Sequence, residues 1–227
     1  MHNLGARLKT VLRSVPIGSA VADVGTDHAF LPIELIKSGK ATRVIACDVN
    51  EKPLQNARKN IERYSVKNIE LRLSDGLSSV EPFEVDTITI AGMGGDLIAD
   101  IINRADWLKS KDKLLVLQPM SSADSLRSFL YSNGFNIQSE TAVYDAKRVY
   151  SIITARYDGV KREVPLRKIH IGELEQDLSE VATDYIKRQY KKLTKLTEDI
   201  KGIDKLKTEY DKAQETALDI KKVLDKR

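Results

Sequence analysis

The segment VADVGTDHAFLP at residues 21–32 reads as an apolar strand, a glycine turn and the start of a helix. In an open α/β sheet, ligands bind at the carboxyl ends of the parallel strands, and Gly25 at this turn would let a ligand approach the backbone. A dinucleotide-binding fingerprint would need glycines at the positions of Asp27 and Phe30. Since an aspartate repels a pyrophosphate, the segment argues against NAD or FAD. A tight turn without a ligand is the alternative.

The same alternation of strand and helix continues to about residue 133. Apolar, β-rich segments recur at residues 43–49, 69–75, 86–92 and 113–119, and each is followed by a loop or a helical pattern. Such alternation predicts parallel strands joined by right-handed crossovers. The segments 135–145 and 147–157 follow one another with no helix between them, which predicts an antiparallel hairpin at one edge. We therefore expect an α/β fold with a seven-stranded mixed sheet, preceded by an amphipathic helix around Leu8.

The pattern of apolar residues changes after Pro165. Apolar residues recur there at helical spacing, as in Leu174, Leu178, Val181 and Tyr185, and further on in Leu193, Leu196, Ile200 and Ile203. Gly202 and Asp204 are interpreted as a C-cap glycine and an N-cap aspartate. They predict a break between two antiparallel helices, a coiled-coil-like α-helical hairpin, with one continuous helix as the alternative. The predicted domains are residues 1–160 and 161–227.

Composition narrows the class of protein. The chain has 227 residues, of which 41% are hydrophobic and 31% charged, as in a folded globular protein. We see no apolar run long enough for a membrane span and no signal peptide, so we expect a cytoplasmic protein. One cysteine, Cys47, and three histidines argue against disulfides and a metal site. A formal net charge of +4 permits a nucleic-acid partner without requiring one.

Three aspartates end successive predicted strands: Asp23, Asp48 and Asp75. A carboxylate after the second strand can accept hydrogen bonds from ribose hydroxyls, and Asp75 could accept one from an adenine amino group, with Gly76 keeping that wall open. Each alone could be a loop residue or a helix cap. Together, with no phosphate-binding loop, they favour S-adenosylmethionine, which is cationic at sulfur and has no phosphate.

The fourth and fifth strands end in small and amide residues. Gly92, Gly94 and Gly95 would leave room for a flat acceptor, and Gln118 is a candidate hydrogen-bonding residue in the same cleft. A glycine-rich helix start is the alternative for the glycines. The Asn/Asp-Pro-Pro-aromatic tetrad of enzymes that methylate exocyclic amino groups is missing, which favours an endocyclic nitrogen as the acceptor.

The motifs ADVGTDHAFLP, ACDVNEKPL, SDGL, TIAGMGGDLI and LQP, in this order and followed by a helical tail, resemble the bacterial tRNA (adenine-22-N1)-methyltransferase family over residues 1–160. The resemblance implies a class I, Rossmann-like methyltransferase fold, S-adenosylmethionine as donor with S-adenosylhomocysteine as product, and tRNA as partner. We expect a monomer. The implied cofactor-binding residues are Asp23, Gly25, Thr26, Asp48, Val49, Asp75, Gly76 and Ala91. The resemblance implies that Asp27 and the loop at residues 92–95 face the acceptor. With Gln118 from the fifth strand, the candidate catalytic residues are Asp27, Gly92, Gly94 and Gln118.

Asp27 is the residue we expect to act on the acceptor. The N1 atom of adenine has an in-plane lone pair, so methyl transfer needs alignment more than deprotonation, and the product ring is cationic. A carboxylate near N1 or N6 would stabilise that charge. The alternative for Asp27 is an N-cap of the helix that begins near Leu31, or a buried hydrogen bond within the loop.

Two groups of cations are candidates for phosphate binding. One lies on the tail and comprises Lys187, Arg188, Lys191, Lys192 and Lys195; the other lies on the N-terminal helix and comprises Arg7, Lys9 and Arg13. A solvated helix face is the alternative for the tail group. The competing functions are a class I methyltransferase acting on another RNA, a protein or a small molecule, and a non-catalytic RNA-binding module.

Overall fold

The computed structural model describes residues 4–227 and contains the predicted seven-stranded sheet. The strands are β1 (Ser19–Val24), β2 (Ala41–Asp48), β3 (Ile69–Leu73), β4 (Thr87–Gly94), β5 (Leu114–Ser121), β6 (Phe135–Asp145) and β7 (Arg148–Tyr157). Their order is β3-β2-β1-β4-β5-β7-β6; the first five run parallel, and β7 is antiparallel to both β5 and β6. This is the mixed sheet with an edge hairpin that the strand pattern predicts.

Eight α-helices flank or follow the sheet in the described part of the chain. They are α1 (Ala6–Ser14), α2 (Phe30–Lys37), α3 (Glu51–Arg63), α4 (Gly95–Arg104), α5 (Ala123–Ser132), α6 (Leu166–Ile171), α7 (Glu180–Ile200) and α8 (Lys207–Leu224). Apolar residues of α4 and α5, such as Ile98 and Leu126, pack on one face of the sheet. Val11 of α1 and Leu35 of α2 pack on the other. Both faces are therefore buried, as a parallel sheet requires.

The strand order reverses between β1 and β4. From β1 the chain moves outward through β2 and β3, and it returns to the other side of β1 to form β4 and β5. In such doubly wound sheets the crevice for a ligand lies at this reversal, outside the carboxyl ends of the strands. The turns after β1 and β4 flank that crevice.

The tail forms the predicted antiparallel hairpin, in which α7 packs against α8. Gly202 has a φ of +78°, a left-handed conformation that favours glycine, and ends the turn after α7. Two details of the prediction are wrong. Asp204 opens a short 3₁₀ turn (Asp204–Leu206) and caps no helix with its side chain. Leu178 and Ile203, predicted in the apolar seam, are 75% and 46% exposed because they lie outside the helices.

The tail is docked on the sheet through a buried ion pair. Arg127 of α5 and Glu140 of β6 have fully buried side chains, and Arg127 Nη2 lies 2.5 Å from Glu140 Oε1. The same guanidinium donates to Tyr185 Oη of α7 at 2.9 Å and to the carbonyl of Ile169 in α6 at 2.9 Å.

The domain boundary at residue 160 stays a prediction. None of the helices described between residues 4 and 227 is long and apolar enough to cross a membrane.

Candidate active site

The turn after β1 forms the floor of a cleft at the strand-order reversal. The amides of Gly25 and Thr26 both donate to the carbonyl of Cys47 in β2, at 2.8 and 2.9 Å, which fixes the turn against the neighbouring strand. Gly25 has a φ of +77°, and a Cβ atom there would collide with the terminal methyl group of Met93. The cleft has a volume of about 250 Å³, and its lining includes Arg7, Asp23, Gly25, Thr26, Asp27, Ala91 and Gly92.

Asp23 is the buried acid at the base of this cleft. Its carboxylate accepts a hydrogen bond from Thr89 Oγ1 at 2.7 Å. Burial raises the pKa of Asp23 above its ordinary value of 3.8, and the hydroxyls of Thr89 and Thr26 oppose that rise only in part. A buried carboxylate with a raised pKa is stabilised by a bound cation, so Asp23 suits a positively charged ligand.

Asp48 lies at the end of β2, where its carboxylate organises two loops. It accepts from the amide of Asn50 at 3.0 Å and more weakly from the amide of Asp27 at 3.4 Å. A carboxylate has about four acceptor positions, so two remain for the hydroxyls of a ribose. The next residue, Val49, is 61% exposed and offers an apolar surface beside that position.

Asp75 is placed at the end of β3 as predicted, but its carboxylate is already paired. Arg104 of α4 binds it with both terminal nitrogens, at 2.7 and 3.1 Å, and this hydrogen bonding lowers the pKa of Asp75. Arg104 thus occupies two of the carboxylate's acceptor positions, and the binding of an adenine amino group by Asp75 stays a prediction in which the ligand shares the carboxylate with Arg104. Gly76 has a φ of +60°, and a Cβ atom there would lie 3.1 Å from Ile101.

Asp27 faces the cleft and is not a helix cap. Its side chain is 67% exposed and lies 3.7 Å from Nε2 of His28, and its backbone φ is +48°. Helix α2 begins at Phe30, the residue before it is Ala29, and no side chain caps this helix. The N-cap alternative for Asp27 is therefore wrong.

Gln118 does not present a free amide to the cleft, because all of its polar atoms are used. It is fully buried; its Oε1 accepts from the amide of Gly92 at 3.0 Å and from Arg7 Nη1, and its Nε2 donates to the carbonyl of Pro119 at 2.8 Å. The prediction that Gln118 contacts the acceptor is corrected: it fixes the Gly92 turn, whose φ is +86°.

The two later glycines differ in role. A Cβ atom at Gly95 would collide with the backbone carbonyl oxygen of Ser122, so Gly95 is required for the packing of α4 against the start of α5. A Cβ atom at Gly94 would lie 3.3 Å from the Ser121 hydroxyl oxygen. The helix-start interpretation thus accounts for Gly95, whereas Gly92 belongs to the cleft.

Arg7 was predicted to bind phosphate, but it lies inside the cleft. Besides its bond to Gln118, its Nε atom is 3.6 Å from the carboxylate of Asp145 at the end of β6. Its side chain is 19% exposed, too enclosed to be an open phosphate site. Sequence reasoning missed this role because it depends on the docking of α1, which no local pattern encodes. It also missed the stacked rings of His28 and Phe30, whose centroids are 5.5 Å apart, at the cleft wall.

The predicted cations of the tail fall into two groups. Lys187, Lys191 and Lys195 are exposed and form no ion pair with any described residue. Arg188 pairs with Asp184 at 3.0 Å, and Lys192 lies 3.5 Å from Asp124. On α1, Arg13 is exposed and Lys9 is half-buried. Lys187, Lys191 and Lys195 are therefore available to bind phosphate, and phosphate binding by the tail stays a prediction.

The cleft residues fit S-adenosylmethionine. Asp23 and Asp27 supply negative charge around the turn, and Gly25 and Gly92 belong to the cleft lining. Asp48 lies next to this lining, against the amide of Asp27, and retains acceptors for a ribose. Among residues 4–227, no group of three His, Cys, Asp or Glu side chains could hold a metal ion.

The sheet order and the acidic cleft together define a class I methyltransferase. A family model described as a methyltransferase domain matches residues 4–153. The tRNA (adenine(22)-N(1))-methyltransferase of Bacillus subtilis is 35% identical over 166 residues, which are 69% of each chain. The protein described here belongs to the family of tRNA (adenine-22-N1)-methyltransferases.

Two solved structures extend this likeness to the whole chain. A Streptococcus pneumoniae protein in complex with S-adenosyl-L-methionine is 33% identical, with a TM-score of 0.82, and the match covers 96% of this chain and 98% of that one. TrmK of M. capricolum, in complex with S-adenosyl-homocysteine, is 28% identical, with a TM-score of 0.79, and the match covers 99% of both chains. The helical tail is therefore shared with these proteins.

Proposed function

We propose that this protein transfers a methyl group from S-adenosylmethionine to the N1 atom of adenine 22 in tRNA. The observation that carries the proposal is the acidic, glycine-walled cleft at the strand-order reversal, in a chain 35% identical to an enzyme named for that reaction. The likeness to that enzyme, rather than the cleft, favours this acceptor over the competing functions, which are another acceptor or a non-catalytic module.

S-adenosylmethionine would supply an electrophilic methyl group on a positively charged sulfur. On the protein side, Asp48 would hold the ribose hydroxyls, and Val49 would cover one face of the adenine. Asp23, whose pKa is raised by burial, would be stabilised in its ionised form by the positive charge of the cofactor. The turns at Gly25 and Gly92 would let the cofactor lie against the backbone.

Asp27 would act on the acceptor base. Its exposed carboxylate stands at the cleft mouth, where the ring of the target adenine becomes positive as the methyl group moves. A fixed negative charge at that point stabilises the transition state more than the ground state. His28 and Phe30 offer a stacking surface for a base extruded from the tRNA.

The exposed lysines of α7 would bind tRNA phosphates. Lys187, Lys191 and Lys195 lie four residues apart on a helix that Arg127 ties to the sheet, so their position relative to the cleft is fixed. Phosphate contacts can supply the few kcal/mol that base extrusion costs. We also keep the monomeric state and the cytoplasmic location as predictions; light scattering of the purified chain tests the first.

The experiment that tests the proposed function follows a labelled methyl group. The protein is incubated with unfractionated tRNA and S-adenosylmethionine labelled in the methyl group, and the modified nucleoside and its position are mapped. We expect 1-methyladenosine at position 22 and nowhere else. Label at another position, or RNA binding without any transfer, would support one of the competing functions instead.

A further inference from the structure

The β6–β7 hairpin reaches the side of the sheet on which the cleft lies. The β5–β7 ladder ends at the pair Leu117–Ile153, whereas the β6–β7 ladder continues to Asp145–Arg148. Because β7 is antiparallel to β5, the start of β7 lies at the carboxyl end of β5. At about 3.3 Å per residue, the tip stands about 17 Å beyond the last β5–β7 pair, level with the end of β5, which continues beside β4 to Ser121.

The hairpin is held between two helices, so its tip has a defined position. Val143 packs in the apolar cluster that includes Val11 of α1, and Val149 packs in the cluster that includes Tyr185 of α7. Residues facing each other across an antiparallel pair share a face, so each face of the ribbon has its own helix. An extra residue in β6 between Ile137 and Ser139 forms a bulge, which increases the twist of a ribbon.

Polar contacts connect the same hairpin to the cleft and to the tail. Asp145 pairs with Arg7, which donates to Gln118 beside Gly92. On the other side, desolvation and the negative charge of Asp184 in α7 raise the pKa of Tyr144, so the hairpin also lies close to α7. The tip therefore stands between the cleft and α7, the helix that carries the exposed lysines.

Two cations occupy the tip. Lys147 and Arg148 are exposed, and neither forms a hydrogen bond through its side chain or an ion pair with the residues that the structure describes. Arg148 is the cross-strand partner of Asp145, so it belongs to the face of the ribbon that carries the contact with Arg7. The one acid nearby on that face, Asp145, is paired with Arg7, and the tip is left with net positive charge.

We propose that the tip of the β6–β7 hairpin is an RNA-binding element, in which Lys147 and Arg148 bind phosphates next to the extruded adenine. It rests on the proposed function and deepens it. Together with Lys187, Lys191 and Lys195, the tip gives the tRNA backbone two separate anchors, one close to the cleft and one along the tail. The near anchor holds the backbone in the strained conformation that an extruded base requires.

The test measures methyl transfer by the full chain carrying Lys147→Glu and Arg148→Glu. We expect the KM for tRNA to rise at least tenfold, and the slope of log affinity against log salt to become shallower by about two, one per cation. The affinity for S-adenosylmethionine, measured by titration without RNA, is expected to stay within twofold. The double variant with alanine at both positions is expected to show a smaller change in the same direction.

The matched control carries Lys67→Glu and Lys161→Glu, which change the net charge by the same amount. Both lysines are exposed and lie near the edge of the sheet where the parallel strands begin, opposite the cleft. It is expected to keep the wild-type KM and salt slope. A variant with Lys187, Lys191 and Lys195 all changed to Glu reverses the far anchor for comparison. If the hairpin variant has the KM and salt slope of the matched control, while the wild type methylates tRNA, the hairpin proposal is wrong and the proposed function stands. If the wild type does not methylate tRNA, the proposed function itself fails.

Discussion

The Nη1 atom of Arg7 donates a hydrogen bond to the Oε1 atom of Gln118, a residue 111 positions further along the chain. This contact joins the N-terminal helix to the end of β5. Because the same Oε1 atom accepts from the amide of Gly92, the position of α1 and the shape of the β4 turn depend on one buried side chain. The cleft is therefore closed by a helix that precedes the sheet in the sequence.

Asp48→Ala is expected to remove most of the cofactor affinity. The carboxylate is the acceptor we assign to the ribose hydroxyls, and a hydrogen bond to a charged group contributes about 1.5–3 kcal/mol. The Kd for S-adenosylmethionine should therefore rise about 10- to 100-fold, measured by calorimetry or as a lost thermal shift. Asp48→Asn, which keeps one acceptor, should lose less. NAD should stabilise neither the wild type nor the variants; stabilisation by NAD would argue for a dehydrogenase.

Asp27→Asn is expected to keep the fold and most of the cofactor affinity while lowering the rate of methyl transfer by one to a few orders of magnitude. Asparagine is the sharper change because it tolerates the left-handed backbone at this position, whereas alanine adds backbone strain of about 1–2 kcal/mol. Single-turnover kinetics with saturating cofactor and tRNA measure the rate. A rate close to the wild-type value would mean that Asp27 carries no charge-stabilising role.

Asp23→Asn is expected to raise the stability of the cofactor-free protein, and to do so more at high pH than at low pH. Burial raises the pKa of Asp23 above its ordinary value, so the folded protein holds the protonated carboxyl more readily than the unfolded chain does. The stability that the protonated carboxyl contributes is fully present below pH 3.8, and it is lost as the pH rises through the folded-state pKa and the buried group ionises. The cofactor-free variant should therefore be more stable than the wild type at pH 8, and this advantage should shrink toward pH 4. Chemical denaturation at several pH values measures it. A variant less stable than the wild type at pH 8 would contradict this account.

Arg127→Met is expected to destabilise the protein by about 3–5 kcal/mol, because it leaves Glu140 buried without its partner. The double variant Arg127→Met, Glu140→Leu should recover most of the loss, because it buries no unpaired charge. Urea denaturation of the three proteins measures the difference. If the double variant were as unstable as the single one, the contacts of Arg127 with Tyr185 and Ile169 would matter more than its charge pair.

The fold could be predicted because its determinants are local. Apolar strands alternate with helical patterns up to β5, and Gly202 marks the turn of the tail. The docking of the tail could not be predicted in the same way. Arg127 lies in an amphipathic helix pattern, where an arginine is usually exposed, and it is buried only because Glu140, Tyr185 and two backbone carbonyls meet around it.

The candidate site likewise contains residues whose positions the sequence predicts and residues whose contacts it does not. Asp23, Gly25 and Asp48 are found at the strand ends where parallel pairing places them, so their sequence positions suffice. Arg7 and Gln118 meet only through the packing of α1, and Asp75 is paired with an arginine from a different helix. Such partners lie far apart in the sequence and follow no periodic pattern, so their pairing becomes visible only in the folded chain.

The central claim is that the acceptor is the N1 atom of adenine 22, and one measurement tests it directly. Two tRNA transcripts are assembled that differ only at position 22, one with adenosine and one with 1-deazaadenosine, in which a C–H group replaces N1. Both are incubated with excess protein and labelled S-adenosylmethionine. We predict about one methyl group per adenosine transcript and none on the 1-deaza transcript. Equal transfer to both transcripts would show that the methyl group goes to another atom and would contradict the account.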